Sequence, residues 1–324
     1  MAELIDHVFL AKLGNPVLDQ RDDSAVVDIG GARLAFTTDS YVVDPLFFPG
    51  GDIGRLAVCG TVNDLACAGA VPLFISTSFV LEEGLDMETL ERVVQSIRAA
   101  ADEAGVTVAT GDTKVVPAGA ADKMFVNTAG IGLVRTGAGT AGGTSGSSAL
   151  AGDVVLLSGS VADHGMAVMS CREGLRFESE ITSDVAPLAG LVAQLLDACP
   201  EVHSLRDPTR GGLASALNEI ARQSQVSIEV EEAAVPIREP VRAACELLGI
   251  DPLYVANEGK MVAVVPSQFA DAALQAMRSH PLGSSAACIA RVLPAPAGRV
   301  QLVTPYGNRR ILLLAHGELL PRIC

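Results

Sequence analysis

Residues 24–38, SAVVDIGGARLAFTT, decide the first structural question. Ser24 to Ile29 is a short apolar run, Gly30-Gly31 is a two-residue turn signal, and Arg33 to Thr38 follows as its partner. Paired glycines supply the positive φ that tight hairpin turns demand, so the stretch predicts an antiparallel hairpin. Downstream, Asp52 is placed to cap a helix running to about Ala68, and Pro72 to Leu81 predicts a buried strand. Asp86 is the next N-cap, for a helix with Leu90, Val93, Val94, Ile97 and Ala101 on one face, closed by Gly105. Val106 to Ala109 and Met124 to Val134 read as strands. Residues 137–148, GAGTAGGTSGSS, hold only Gly, Ala, Ser and Thr and mark a flexible linker or surface loop. A strand at Asp153 to Leu157 follows. Helices are expected around Ala162 to Cys171, Pro187 to Ala198 and Gly212 to Gln223, with alternation to Leu314. The fold class is α/β, shading to α+β through the hairpin. It divides into 1–136, the 137–148 connection, 149–314 and a mobile tail, 315–324.

The 324 residues suit two domains, and 49% hydrophobic residues provide two cores. Without Trp and with 4% aromatics, those cores rely on small aliphatic side chains. Thirty-eight acids against 23 bases give a net charge of −15, which repels a nucleic-acid backbone. A nucleotide remains acceptable where divalent metal ions sit between carboxylates and phosphates. No apolar run approaches the ~20 residues that span a bilayer, so no membrane partner is expected. Met1-Ala2-Glu3-Leu4 lacks the features of a signal peptide. Seven cysteines without a C-x-x-C pair speak against a disulfide framework, giving a cytoplasmic reading.

Gly137, Gly139 and Gly142 spell a formal G-x-G-x-x-G, but Thr-Ser-Gly-Ser-Ser follows instead of a helix, so a dinucleotide site is rejected. P-loop and nucleophile-elbow motifs are absent. Acids instead recur where loops meet elements: Asp23 before the first strand, Asp39 ending the second, and Asp112 after Gly111. Asn63-Asp64 lies inside an otherwise apolar helix, and a carboxylate there is costly unless it faces a cation or water. Each acid alone reads equally as a cap or turn former; together they fit a Mg²⁺–phosphate site. Gly111-Asp112-Thr113-Lys114 has the composition of a phosphate loop. Arg206-Asp207-Pro208-Thr209-Arg210-Gly211-Gly212 precedes a helix N-terminus, which suits an anion. His164 reads as a local hydrogen-bonder or an acid–base group. Cys324, the last residue, reads as incidental or as a tethered thiol; the other six cysteines read as core-filling.

The combination resembles the carbamoyl dehydratase family of hydrogenase maturation, within the aminoimidazole ribonucleotide synthetase-like ATP-binding superfamily. Carrying the resemblance are TTDSYVV (37–43), FFPGGDIG (47–54), CGTVND (59–64), GDTKVV (111–116), DHGM (163–166), RDPTRGG (206–212), NEGK (257–260) and the closing PRIC (321–324). It implies a two-domain fold whose N-terminal sheet pairs across a homodimer, with ATP at the domain and subunit boundary. It also implies a carbamoyltransferase partner that loads Cys324, ATP-dependent conversion of the resulting S-carboxamide into an S-cyanate, and an iron-carrying scaffold complex that receives cyanide. By motif position it assigns Asp23, Asp39, Asp64 and Asp112 to metal and ATP, with Asn63 and Thr113 adjacent. Lys114 and Glu258 become proton-transfer candidates, Asp207 and Arg210 line the tail's cleft, and His164 joins the catalytic set. The family's glycine-rich segment ahead of Leu4-Ile5 has no counterpart in the chain, an expected difference in nucleotide handling. The rival readings are a small-molecule kinase of the same superfamily and a non-catalytic thiol scaffold.

Overall fold

The computed structural model describes residues 4–135, 144–174, 181–314, 320 and 322–324. The hairpin forms as its glycines dictate: β1 (Ala25–Ile29) pairs antiparallel with β2 (Ala32–Tyr41), and Gly30 and Gly31 take φ of 59° and 87°. Asp52 caps α1 (Ile53–Cys67), accepting the amides of Gly54 at 2.7 Å and Arg55 at 3.1 Å. β3 (Ala70–Glu82), α2 (Met87–Ala104), β4 (Thr107–Val116) and β5 (Met124–Val134) complete a five-stranded sheet ordered β1-β2-β5-β3-β4. Asp86 caps α2, and Gly105 ends it in the left-handed conformation. Val94 is 47% exposed, so the apolar face of α2 is narrower than the sequence predicts.

α1 is buried on nearly every side because it lies under this sheet and against α2. A Cβ on its Gly60 would stand 2.2 Å from the Tyr41 hydroxyl, so only glycine lets helix and strand approach this closely. The opposite face of the sheet is open and apolar. Phe36, Ile131 and Phe74 form one cross-strand row there, exposed by 46%, 43% and 49%, and Leu133 and Val71 extend it.

The second sheet has seven strands, starting with β6 (Val154–Leu157) and including β7 (Ser204–Arg206) and β9 (Val262–Val265) at one side. Between β7 and β9 in sequence lies β8 (Ser227–Glu231); β10 (Ala287–Leu293), β11 (Arg299–Val303) and β12 (Arg309–Ile311) follow. The order is β12-β11-β8-β10-β6-β9-β7. The helices that matter for the site are α3 (Asp163–Arg172), α4 (Ala189–Ala198) and α5 (Gly212–Gln223). Among the described residues no helix is long and apolar enough to cross a membrane.

Gly137, Gly139 and Gly142, with the rest of 137–143, lie outside the described residues, as do 315–319 and Pro321 of the tail. The described end of the connection is hydrogen-bonded in place rather than loose. Asp22 accepts the Gly146 amide and the Ser145 hydroxyl, and the Ser224 hydroxyl on the other domain donates to the Gly146 carbonyl. Cys171 and Cys288 are exposed, against the core-filling role expected of them, whereas Cys59, Cys67, Cys199 and Cys245 are buried.

Candidate active site

Four carboxyls expected from the sequence converge where α1, the end of β2 and the loop after β7 meet. Asp64 projects from α1 toward Thr37, whose hydroxyl lies 2.7 Å from Asp64 Oδ2 and 3.0 Å from the Asp23 carbonyl oxygen. Asp39 stands beside Asp64, whose side chain acts on its ionisation, and receives the Tyr41 hydroxyl at 3.2 Å. Two buried carboxyls side by side favour a shared proton or a cation. Burial raises Asp39, Asp64 and Asp207, and the neighbouring negative charges add to the rise at Asp64 and Asp207. Asp23 is pushed up to about 6 by burial, although Arg206 Nε donates to it at 3.0 Å. Four hard oxygen-donor groups with so little positive charge among them suit a magnesium-bound phosphate.

The tail enters this cluster. The Arg322 carbonyl accepts from Arg172 Nη2 at 2.6 Å and from the Asp44 amide at 3.2 Å, and the Arg322 guanidinium pairs with Asp122 at 3.0 Å. Ile323, 3% exposed, is buried in the core that includes Phe48, Val168, Val185 and Ala256. The Ile323 carbonyl lies 2.9 Å from His164 Nε2. A carbonyl only accepts, so Nε2 carries the proton; Nδ1 of the neutral ring then accepts from the Ser183 hydroxyl at 2.8 Å. Burial holds the His164 pKa below the usual imidazole value, in keeping with a neutral ring.

Cys324 thereby lies beside the Glu258 and Arg210 side chains, near enough for both to act electrostatically on its thiol. Burial, reinforced by Glu258, pushes its thiol up to about 12, so the docked sulfur is protonated. Glu258 is 2% exposed, raised well above the carboxylate range by burial, and its Oε1 has no partner among the described residues. Its loop is fixed by Asp184, whose carboxylate accepts the Glu258 and Gly259 amides, each at 3.2 Å, and Lys260 Nζ at 3.1 Å.

Two groups of predicted residues are used differently. Asn63, 1% exposed, donates to the Ala186 and Glu258 carbonyls, each at 3.1 Å, and accepts the Leu188 amide at 2.8 Å. Its carboxamide thus joins α1 to the Glu258 loop and to the segment leading into α4. Asp112, Thr113 and Lys114 lie not in a loop but within β4, the exposed edge strand, where Lys114 Nζ pairs with Asp112 at 2.7 Å. Register explains their isolation. Asp39 is in line with Thr128, Thr77 and Gly111, on the helix side with Thr37 and Tyr41. Asp112 is in line with Ser78, Asn127 and Ser40, on the open face. The two acids also stand about 14 Å apart, three strand spacings of ~4.8 Å.

Sequence comparison agrees with this architecture. Residues 21–134 match the N-terminal domain of AIR synthase related proteins and residues 151–303 the C-terminal domain. Over 324 residues, all of this chain and 94% of the relative, it is 53% identical to the carbamoyl dehydratase HypE of Azotobacter vinelandii. The chain belongs to the HypE family. A crystal structure of a HypE in complex with ATP superposes with a TM-score of 0.87 at 51% identity, covering 100% of this chain and 96% of that one. The HypE of a HypE–HypF complex superposes with a TM-score of 0.90 at 48% identity, covering 95% of this chain and 98% of that one. These HypE relatives share the whole two-domain body that carries the acidic cluster, the Glu258 loop and the tail pocket of this chain.

Proposed function

We propose that this chain dehydrates an S-carboxamide on its own Cys324 to an S-cyanate, using ATP, to provide cyanide for a hydrogenase iron centre. The observation that carries the reading is the seating of the Cys324 sulfur between Glu258 and Arg210, beside the carboxylate cluster. An amide oxygen leaves poorly. ATP supplies the phosphoryl group that turns it into a leaving phosphate, and both N–H protons depart as the C≡N bond forms. Glu258, in its ionised form, is the base: its unpartnered oxygen offers an acceptor beside the sulfur. Arg210 offsets negative charge on the transferring oxygens. Asp23, Asp39, Asp64 and Asp207 would hold Mg²⁺, which neutralises phosphate charge. His164 positions the tail through the Ile323 carbonyl rather than moving a proton.

Asp112, Thr113 and Lys114 take part only if a second copy brings them. The open apolar face fits such a copy, and a homodimer through this sheet places ATP at the subunit boundary. Because the docked thiol is protonated and enclosed, the carbamoyltransferase, HypF by analogy with the HypE–HypF complex, acts on an undocked tail. The iron-carrying scaffold receives cyanide from an undocked tail as well.

The test is the mass of the Cys324 peptide after incubation with ATP, Mg²⁺, carbamoyl phosphate and the carbamoyltransferase. A carbamoyl adduct that becomes one water lighter only with ATP is the expected result. An adduct that never dehydrates sinks the reading, and ATP consumption unchanged in Cys324→Ser favours a kinase.

A further inference from the structure

A small cavity lies beside the carboxylate cluster. It holds about 10 Å³, space for a single water or ion, and its lining includes Asp22, Asp23, Ser24, Cys67 and Thr144. One ligand atom each from Asp23, Cys67 and Asp207 lie within 4.8 Å of one another. Cys67 comes from the last turn of α1, three residues after Asp64, and is 1% exposed. Independently of these acids, Ser24 is 3% exposed, and its hydroxyl has no hydrogen-bond partner among the described residues. A buried hydroxyl left bare beside a polar cavity indicates that something polar belongs there.

We propose that Asp23, Cys67 and Asp207 form a site for a thiophilic divalent cation of the zinc or ferrous class. Magnesium takes oxygen donors and has no use for a thiol, whereas borderline-soft ions accept mixed carboxylate and thiolate sets. Three protein donors leave one position of a four-coordinate ion for water, and the Ser24 hydroxyl is the partner for that water. On binding, the Cys67 S–H bond breaks, its proton passes to solvent and a sulfur–metal bond forms, with no change of oxidation state. Since Asp23 and Asp207 also serve the proposed magnesium–phosphate site, the ion competes with it, and zinc arrests ATP turnover. That consequence rests on the proposed function; the site itself does not.

Cobalt(II) added to the metal-free full-length chain is the direct probe. The expected result is a sulfur-to-cobalt charge-transfer band that saturates at one equivalent, vanishes on adding zinc and persists in excess Mg²⁺. Cys67→Ser and Cys67→Ala should both lose the band while keeping their circular dichroism and Mg²⁺-dependent ATP turnover, with zinc inhibition weakened at least about tenfold. Ser24→Ala, which removes no ligand, should keep the band and bind cobalt several-fold more weakly. No band in the wild type, or a band that survives both Cys67 variants, overturns the site. A Cys67-dependent band without zinc inhibition overturns the competition alone. Absent ATP turnover in the untreated wild type instead counts against the proposed function, because the cobalt band is read without ATP.

Discussion

Asp64 and Asp112 sit in one domain, and the family resemblance assigns both to metal and ATP. Their surroundings are opposites. Asp64 is enclosed among Asp39, Asp23 and Asp207, and both burial and mutual repulsion raise its pKa. Asp112 stands on an uncovered edge strand with Lys114 beside it, and that ammonium lowers its pKa. A carboxyl whose ionisation its surroundings oppose gains most from a cation, which is the role proposed for Asp64. A carboxylate already neutralised by its own lysine gains little from one, and on the proposed reading it acts only when a second copy meets that edge.

The most severe way to probe the contrast is at its catalytic end. Glu258→Gln should lower dehydration by about 10²–10⁴-fold, the usual worth of a positioned base, while the carbamoyl adduct still forms on Cys324. Mass measurement of the tail peptide separates the two steps. Asp64→Asn should reduce Mg²⁺-dependent ATP turnover by about 10²-fold or more. It should also raise the melting temperature of metal-free protein by about 2–4 °C, equivalent to about 1 kcal/mol, because one repelling carboxyl is gone. A calorimetric scan showing destabilisation instead would mean the cluster is satisfied as it stands.

Lys114→Ala should leave stability within about 0.5 kcal/mol of wild type, as an exposed site allows, and yet reduce ATP turnover. Mixing it with Asp64→Asn should restore part of the activity through hybrid dimers. No rescue would place the edge-strand motif outside any shared site. His164→Phe should weaken tail docking by about 2- to 10-fold, the value of one neutral hydrogen bond. Protection of Cys324 from alkylation reports this.

Acidity probes the same enclosed cluster. Asp23, ordinarily near 3.8 and at about 6 when folded, binds more protons folded than unfolded between those values. Its contribution to stability therefore declines as pH rises from about 4 to about 6. Metal-free protein should melt lower at pH 7 than at pH 5 on this account, and Mg²⁺ with ATP should reverse the trend.

The hairpin, both capped helices and the converging acids were legible because each rests on local chemistry: paired glycines, Asp before an apolar run, a carboxylate in an apolar helix. The motif at 111–114 has the composition of a phosphate loop, whereas nine residue pairs of β4 with β3 keep it extended, so its local conformation was not legible from composition. Asn63 adjoins Asp64 in sequence, yet adjacent helix positions face different neighbours, and its partners are 123 to 195 residues away. Asp184 and Arg172, which fix the base loop and the tail, carry no sequence signal at all. Their roles arise only from long-range contacts made by irregular or helix-terminal segments.

One consequence of the Asn63 bonds concerns motion. Its carboxamide links α1, which carries Asp64, to the Glu258 carbonyl and to the Leu188 amide leading into α4. Breathing that parts the two halves of the chain must first break a fully buried set of three hydrogen bonds. The Leu188 amide proton should therefore exchange with solvent only at the pace of global unfolding, while β4 amides on the open edge exchange freely. The base and the acidic helix would then keep their relative alignment through the slow excursions that release and recapture the tail.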